Sequence, residues 1–199
     1  MTTTGASPQS SVVRKSKILK HRGHRGHGVV PVRMACVNAD RNAKALAGLR
    51  IAVGVLFLIF GEYKVFGSGF TRGGGFQFWI NRFLADGAYP FMAPVLRNFV
   101  LPHATAIAYL VAYGEFAIGL ALTLGIWVRA ASVCGFIYMM TLLFSSNYPG
   151  PHVAFWQYFG TSLDHSVLAM CFATFVFADS EQALSAARYW RRRRAGLRD

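Results

Sequence analysis

Four long apolar stretches set the terms on which this 199-residue chain can fold. The first runs from about Ala45 to Phe66, and its centre, Ile51 to Gly61, carries no charge. With its flanks it is about 22 residues, or roughly 33 Å as a helix, enough to cross a hydrocarbon core of about 30 Å. The second runs from Ala104 to Val128, with Glu115 as its one charge. The third, Ala130 to Ser145, has none and is short unless Arg129 and Ser146 extend it. The fourth runs from about Gly160 to Ala178, with Asp164 and His165 near its start. All seven prolines fall outside these stretches, as helices require. Buried helices of a soluble protein are the competing reading. Four such segments in so short a chain leave too little polar surface to cover them, and charged residues are only 15% against about 25% in a soluble domain. The expected fold is all-α, a four-helix transmembrane bundle with an outer interfacial helical loop.

The net charge of +13 is confined to the ends. Residues 1–45 carry +8, residues 46–187 are neutral, and residues 188–199 carry +5. The expected organisation follows these limits: a basic, disordered tail over 1–45, a membrane domain over 46–187 and an Arg-rich tail over 188–199. A nucleic-acid-binding domain spreads positive charge over a folded face. No such fold accompanies these ends, and nucleic acid is not an expected partner. Lys/Arg bias instead puts both termini in the cytoplasm, as in a multi-pass protein of the cell inner (plasma) membrane. An even number of spans satisfies both ends. The segment Trp127-Val128-Arg129 is then a small cytoplasmic turn, and loops 67–103 and 146–159 face outward. Trp79, Trp127, Trp156 and Trp190 fall at the expected interfaces. The run Arg191–Arg194 is expected to attract anionic lipid at about 1 kcal/mol per residue close to the surface. Met34 offers an alternative start; without residues 1–33, orientation rests on Arg41, Lys44, Arg50 and the C-terminal arginines.

The 67–103 loop is too long for a plain connector. Gly67, Gly69, Gly73, Gly74 and Gly75 open it flexibly. The apolar runs Phe76 to Leu84 and Tyr89 to Leu101 then suggest one or two short helices on the outer interface, capping the bundle.

Glu115 is the most informative single residue. It sits near the bilayer midplane, where an ionised carboxylate costs at least about 2.5–3.5 kcal/mol on insertion scales. It is therefore protonated, paired or facing a wet cavity. A proton- or ligand-binding carboxylate and a structural interhelical hydrogen bond are equally open readings. Gly119, one turn along, leaves room for an approaching helix or ligand. Ala117, Ala121 and Gly125 form a stripe of small residues suited to close helix packing. Glu62 and Lys64 lie at the outer end of the first span and point to different faces. Lys64 either snorkels to the interface or projects into the bundle mouth toward Asp164 or His165. Asp164 reads equally as a charge favoured by the N-terminal end of its helix. Arg129 reads as a residue of the cytoplasmic face. The three cysteines form no C-x-x-C pair, and neither a disulfide framework nor a metal site is expected. Cys134 and Cys171 lie mid-helix in apolar settings that make thiols inert.

The run Arg50 to Gly61 followed by Lys64 resembles the first helix of the DoxX/DoxD-like membrane family. The stretch GEFAIGLALTLGIWVRAAS, with Glu115, Gly119, Gly125 and Arg129, resembles that family's second-helix signature. The likeness spans about residues 46–180. The family's Gly-x-x-Lys pattern is kept, with Glu62 at a variable position, and the 67–103 loop is longer than usual. The resemblance implies a four-helix membrane protein. Some relatives are subunits of a thiosulfate:quinone oxidoreductase, and others work beside a sulfurtransferase and superoxide dismutase in thiol-stress defence. By position it points to Lys64, Glu115 and Arg129. It implies an integral membrane subunit of a quinone- or thiol-linked redox system, with quinone as the candidate cofactor and soluble redox proteins as candidate partners. Enzymatic activity of the chain itself stays open, since no residue is a clear redox centre. A non-enzymatic scaffold recruiting soluble redox partners, and a small proton-coupled transporter using Glu115 and the Asp164–His165 pair, are the alternatives.

Overall fold

The computed structural model describes residues 32–178 and Ser185. The expectations for the basic tail before residue 32, for Trp190 and for Arg191–Arg194 lie outside the described residues. Among the described residues every regular element is helical. Four long helices form the body: α1 (Val32–Phe66), α5 (Ala104–Leu124), α6 (Val128–Ser145) and α8 (Leu163–Phe177). Between α1 and α5 lie α2 (Ser68–Thr71), α3 (Gly75–Ala85) and α4 (Met92–Val95), the last continued by a π turn over Leu96–Val100. A single turn, α7 (Gln157–Gly160), precedes α8.

The long helices follow the four apolar stretches, with shifted ends. Helix α1 begins 13 residues before the apolar run, because nothing from Val32 to Lys44 breaks a helix. Helix α5 stops at Leu124 rather than Val128. Gly125 takes a left-handed conformation there (φ 69°), and the N–H groups of Gly125 and Ile126 both bond the Ala121 carbonyl. This is a glycine C-cap. The turn is therefore Gly125-Ile126-Trp127, and α6 starts at Val128 and takes Arg129 into its first turn.

Each long helix buries one narrow stripe. On α1 it is Ala47, Arg50, Val53, Gly54, Phe57 and Gly61, at spacings of three and four. The remaining faces stay apolar and exposed, with Ile59, Phe60, Leu110, Ile137 and Met170 each at least 58% open. Between 28% and 33% of the residues in the α1, α5 and α6 spans are buried. Water would not tolerate such a surface; lipid requires it. These three helices are long and apolar enough to cross a membrane, while α8, with 15 residues, is shorter.

The bundle consists of two tight antiparallel pairs. In the first, α1 meets α5 backbone to backbone. A side chain at Gly119 would lie 2.7 Å from the Leu58 nitrogen and 2.9 Å from the Gly54 oxygen, and one at Gly54 would lie 2.6 Å from Thr123 Oγ1. Lower down, Gly61 packs on the backbone of Phe116. In the second pair, the Phe172 ring of α8 occupies the space that a side chain at Gly135 of α6 would need. Phe172 also meets Phe57 of α1 edge-on at 5.2 Å, which joins the two pairs. The Ala117–Ala121–Gly125 stripe does not make the close helix contact expected of it: Ala117 and Ala121 line an open groove toward α6, and Gly125 caps α5. Backbone approach runs instead through Gly119, on the adjoining face.

A second core, built from Phe76, Ile80, Leu96, Ala104 and Ala108, packs the outer loop onto the first half of α5. The glycines of this loop build a tight corner rather than a flexible opening. The Gly73 N–H bonds the Ser68 carbonyl at 2.9 Å, and a side chain at Gly75 would lie 2.8 Å from the Gly69 oxygen. Arg72 Nε donates to the Tyr109 hydroxyl at 2.7 Å, and Tyr89 donates to the Tyr158 carbonyl at 2.6 Å. The two outer loops are thus joined to each other and to α5.

Candidate functional site

The register of α1 on α5 assembles an ion pair inside the bundle. Because Gly61 sits on Phe116, Lys64, three residues on, comes beside Glu115. Lys64 Nζ lies 2.6 Å from both carboxylate oxygens, with the two side chains 19% and 7% exposed. Tyr138 of α6 donates its phenolic proton to Glu115 Oε1. Phe70 of α2 covers the ammonium, its ring centre 5.1 Å from Nζ. Three helices therefore converge on one carboxylate. Glu115 is the twelfth of the 21 residues of α5, so this contact lies midway along the helix. A carboxylate at that depth is tolerable because its charge is matched and its oxygens are hydrogen-bonded.

The triad borders a groove between α5 and α6. Helices α5 and α6 diverge to leave a groove of about 560 Å³, bounded by Leu110, Gly114, Ala117 and Ala121 on one wall and Ala131, Cys134 and Thr141 on the other. Glu115 and Tyr138 are part of its lining. Lys64 stands behind them, on the α1 side. Cys134 is exposed in this groove, one helical turn from Tyr138.

The other polar positions singled out in the sequence do not join the triad. Glu62 is exposed on the outside of α1. Lys64 turns to Glu115, not to Asp164 or His165, because α1 is paired with α5 and those two residues sit on α8. Asp164 is 73% exposed, and His165 Nδ1 lies 3.1 Å from its Oδ1 without hydrogen-bond alignment. Arg129 is exposed on the first turn of α6, at the Gly125 end of the bundle. Among the described residues no three His, Cys, Asp or Glu side chains come together as metal ligands.

Two residues carry more than sequence reasoning gave them. Tyr138 was missed; a lone phenol in an uncharged helix reads as core, and its one signal is a hydroxyl that a buried site must satisfy. Arg50, a charge at the end of the first apolar stretch, is completely buried. Its guanidinium fills the space that a side chain at Gly125 would need, at the carbonyl end of α5, where a cation is favoured. Ser185 comes to the same place and donates to the Gly125 carbonyl at 2.9 Å.

The DoxX family pattern matches residues 45–147, just over half of the chain. That match takes in the apolar part of α1, the outer cap, α5 and α6, and so contains Lys64, Glu115 and Tyr138. No curated protein and no solved structure matches the chain. With the family pattern laid over the helices that hold the buried triad, the chain belongs to the DoxX family of integral membrane proteins.

Proposed function

We propose that this protein is the membrane subunit of a quinone- or thiol-linked redox system. Its lipid-soluble substrate lies in the α5–α6 groove, with Glu115 as the proton-linked group. The observation that carries this reading is the opening of a matched, buried carboxylate onto an apolar groove in the lipid-facing surface.

The size and depth of the groove support it. Leu110 and Ala121 are eleven residues apart on α5, roughly 16 Å along the helix. Over that length the groove holds about 560 Å³ and is walled mostly by apolar side chains, which suits a hydrocarbon chain. The polar contact lies midway along α5 and two residues from the end of α1. A weakly polar ring on an apolar tail fits a mostly apolar groove with a few polar groups in its wall. Such a quinone-type substrate supplies the two-electron chemistry. Tyr138 and Glu115 meet its head, Ala117, Ala121 and Ala131 accept its tail, and Lys64 holds the carboxylate in place.

The remaining parts of the reading are the cellular setting. The protein sits in the inner (plasma) membrane with both ends in the cytoplasm. The arginine run at Arg191–Arg194 lies against anionic lipid, and soluble redox proteins supply or remove electrons.

Extraction of quinone from protein purified in mild detergent tests the reading. Co-purified quinone is expected with the wild type and is expected to be lost in Glu115→Ala. Equal quinone in both, together with unchanged growth of Glu115→Gln cells under thiol stress, would reduce the carboxylate to a structural role.

A further inference from the structure

The polar groups in the α5–α6 groove share a property that the charge pattern does not reveal. Glu115 is an acceptor, with Lys64 Nζ at 2.6 Å from both of its oxygens. The carboxylate is also the acceptor of its contact with Tyr138. Tyr138 has therefore committed its only donor to Oε1. Thr141, also in the lining, has committed its hydroxyl proton to the Ile137 carbonyl at 2.8 Å. Lys64, the strongest donor nearby, stands outside the lining. The Cys134 thiol is a weak donor, and the Trp127 indole lies eleven residues before Tyr138, at the far end of the groove. Around the carboxylate, what faces a ligand is lone pairs.

We infer that the groove selects a ligand that donates a hydrogen bond: a lipid-soluble hydroquinone, phenol or thiol, and so the reduced rather than the oxidised member of a redox couple. A quinone carbonyl brought to the same place sets its lone pairs against those of Glu115 and Tyr138. It strips water from no donor and gains no bond, while a hydroquinone O–H meets an acceptor that carries charge. Hydrogen bonds to charged groups are the strong ones, and the resulting preference is about ten- to hundredfold in affinity. The inference rests on the groove being the site of a lipid-soluble substrate, and it adds which form is held.

The test is anaerobic titration of the full chain in nanodiscs of zwitterionic lipid, read by tryptophan fluorescence. Three probes of one shape are compared: a decyl-substituted benzohydroquinone, the corresponding quinone, and the dimethyl ether of the hydroquinone, which has no donor. The hydroquinone is expected to bind about ten- to hundredfold tighter than either of the others. Quinone binding as tight as that of the hydroquinone overturns the donor preference and leaves the groove site standing. Binding of none of the three overturns both. The paired substitution Lys64→Met with Glu115→Gln puts an amide N–H in the wall without leaving a charge unmatched, and is expected to collapse the preference. Should that variant fail to fold, Tyr138→Phe removes one acceptor at little change in shape. It also frees Glu115 Oε1, the charged acceptor, so the hydroquinone is expected to keep or widen its lead over the ether; equal affinity for the two overturns the inference.

Discussion

Lys64 and Glu115 answer to each other across 51 residues of sequence, and neither is comfortable alone. Removing one member of a buried ion pair leaves an unmatched charge, at a cost of about 3–5 kcal/mol. Lys64→Met is accordingly expected to lower the midpoint of SDS-induced unfolding strongly. The double variant Lys64→Met with Glu115→Gln should regain most of the loss, because no charge is then left unmatched. Equal destabilisation by the single and double variants would contradict the pairing. The two members were each legible in the sequence as charges where apolar residues prevail. Their partnership was not, because it depends on the register of two helices. Nothing in the spacing of Lys64 distinguishes a contact with Glu115 from one with Asp164 or His165. Tyr138 was less legible still: its role comes from an acceptor on another helix, and no local pattern marks it.

At the scale of helices, glycine decides which pairs form and in what register. Gly54 and Gly119 face each other so closely that a methyl at Gly119 meets the backbone of Leu58 and Gly54, and one at Gly54 meets Thr123 Oγ1 and the backbone behind it. Gly119→Ala is expected to cost about 1–3 kcal/mol by overpacking and to move Lys64 off Glu115. The check is a cross-link between Tyr63→Cys or Lys64→Cys and Glu115→Cys in a background without native cysteines, which should become slower when Gly119 is also changed. Gly135→Ala is likewise expected to destabilise, since the Phe172 ring it would meet is completely buried and packed edge-on against Phe57. Destabilisation by both substitutions, measured under the same conditions, is the expected outcome. The helices themselves were readable from their lack of charge, and so was the break between the second and third. Its exact place was not, because the apolar run continues through Gly125 to Val128 while the left-handed glycine ends the helix first. The glycine-rich opening of the outer loop read as flexible for the same reason: composition does not show that these glycines are there for close backbone contact.

For the molecule as a whole, the decisive question is whether α8 completes a fourth crossing. By length it falls short: 15 residues are roughly 22 Å of helix against a hydrocarbon core of about 30 Å. By position it lies along α6 as the fourth helix of the bundle. Phe172 lies against Gly135, so α8 runs antiparallel to α6 beside most of its length, and Ser185 then arrives at Gly125, at the end of the bundle where Arg50 is buried. Arg50 marks the end at which α1 enters. Both ends of the membrane domain therefore emerge on one side of the bundle, as an even number of crossings demands. A reporter fused before Val32 and another fused after Asp199 are expected to report the same compartment. Under the proposed orientation, with basic residues on both flanks, that compartment is expected to be the cytoplasm. Reporters in opposite compartments would mean three crossings and an α8 lying short of the far surface. In that case the contact of Ser185 with Gly125 is lost as well, and Ser185→Ala should leave stability unchanged. With four crossings the same substitution removes a buried hydrogen bond and should cost about 0.5–1.5 kcal/mol.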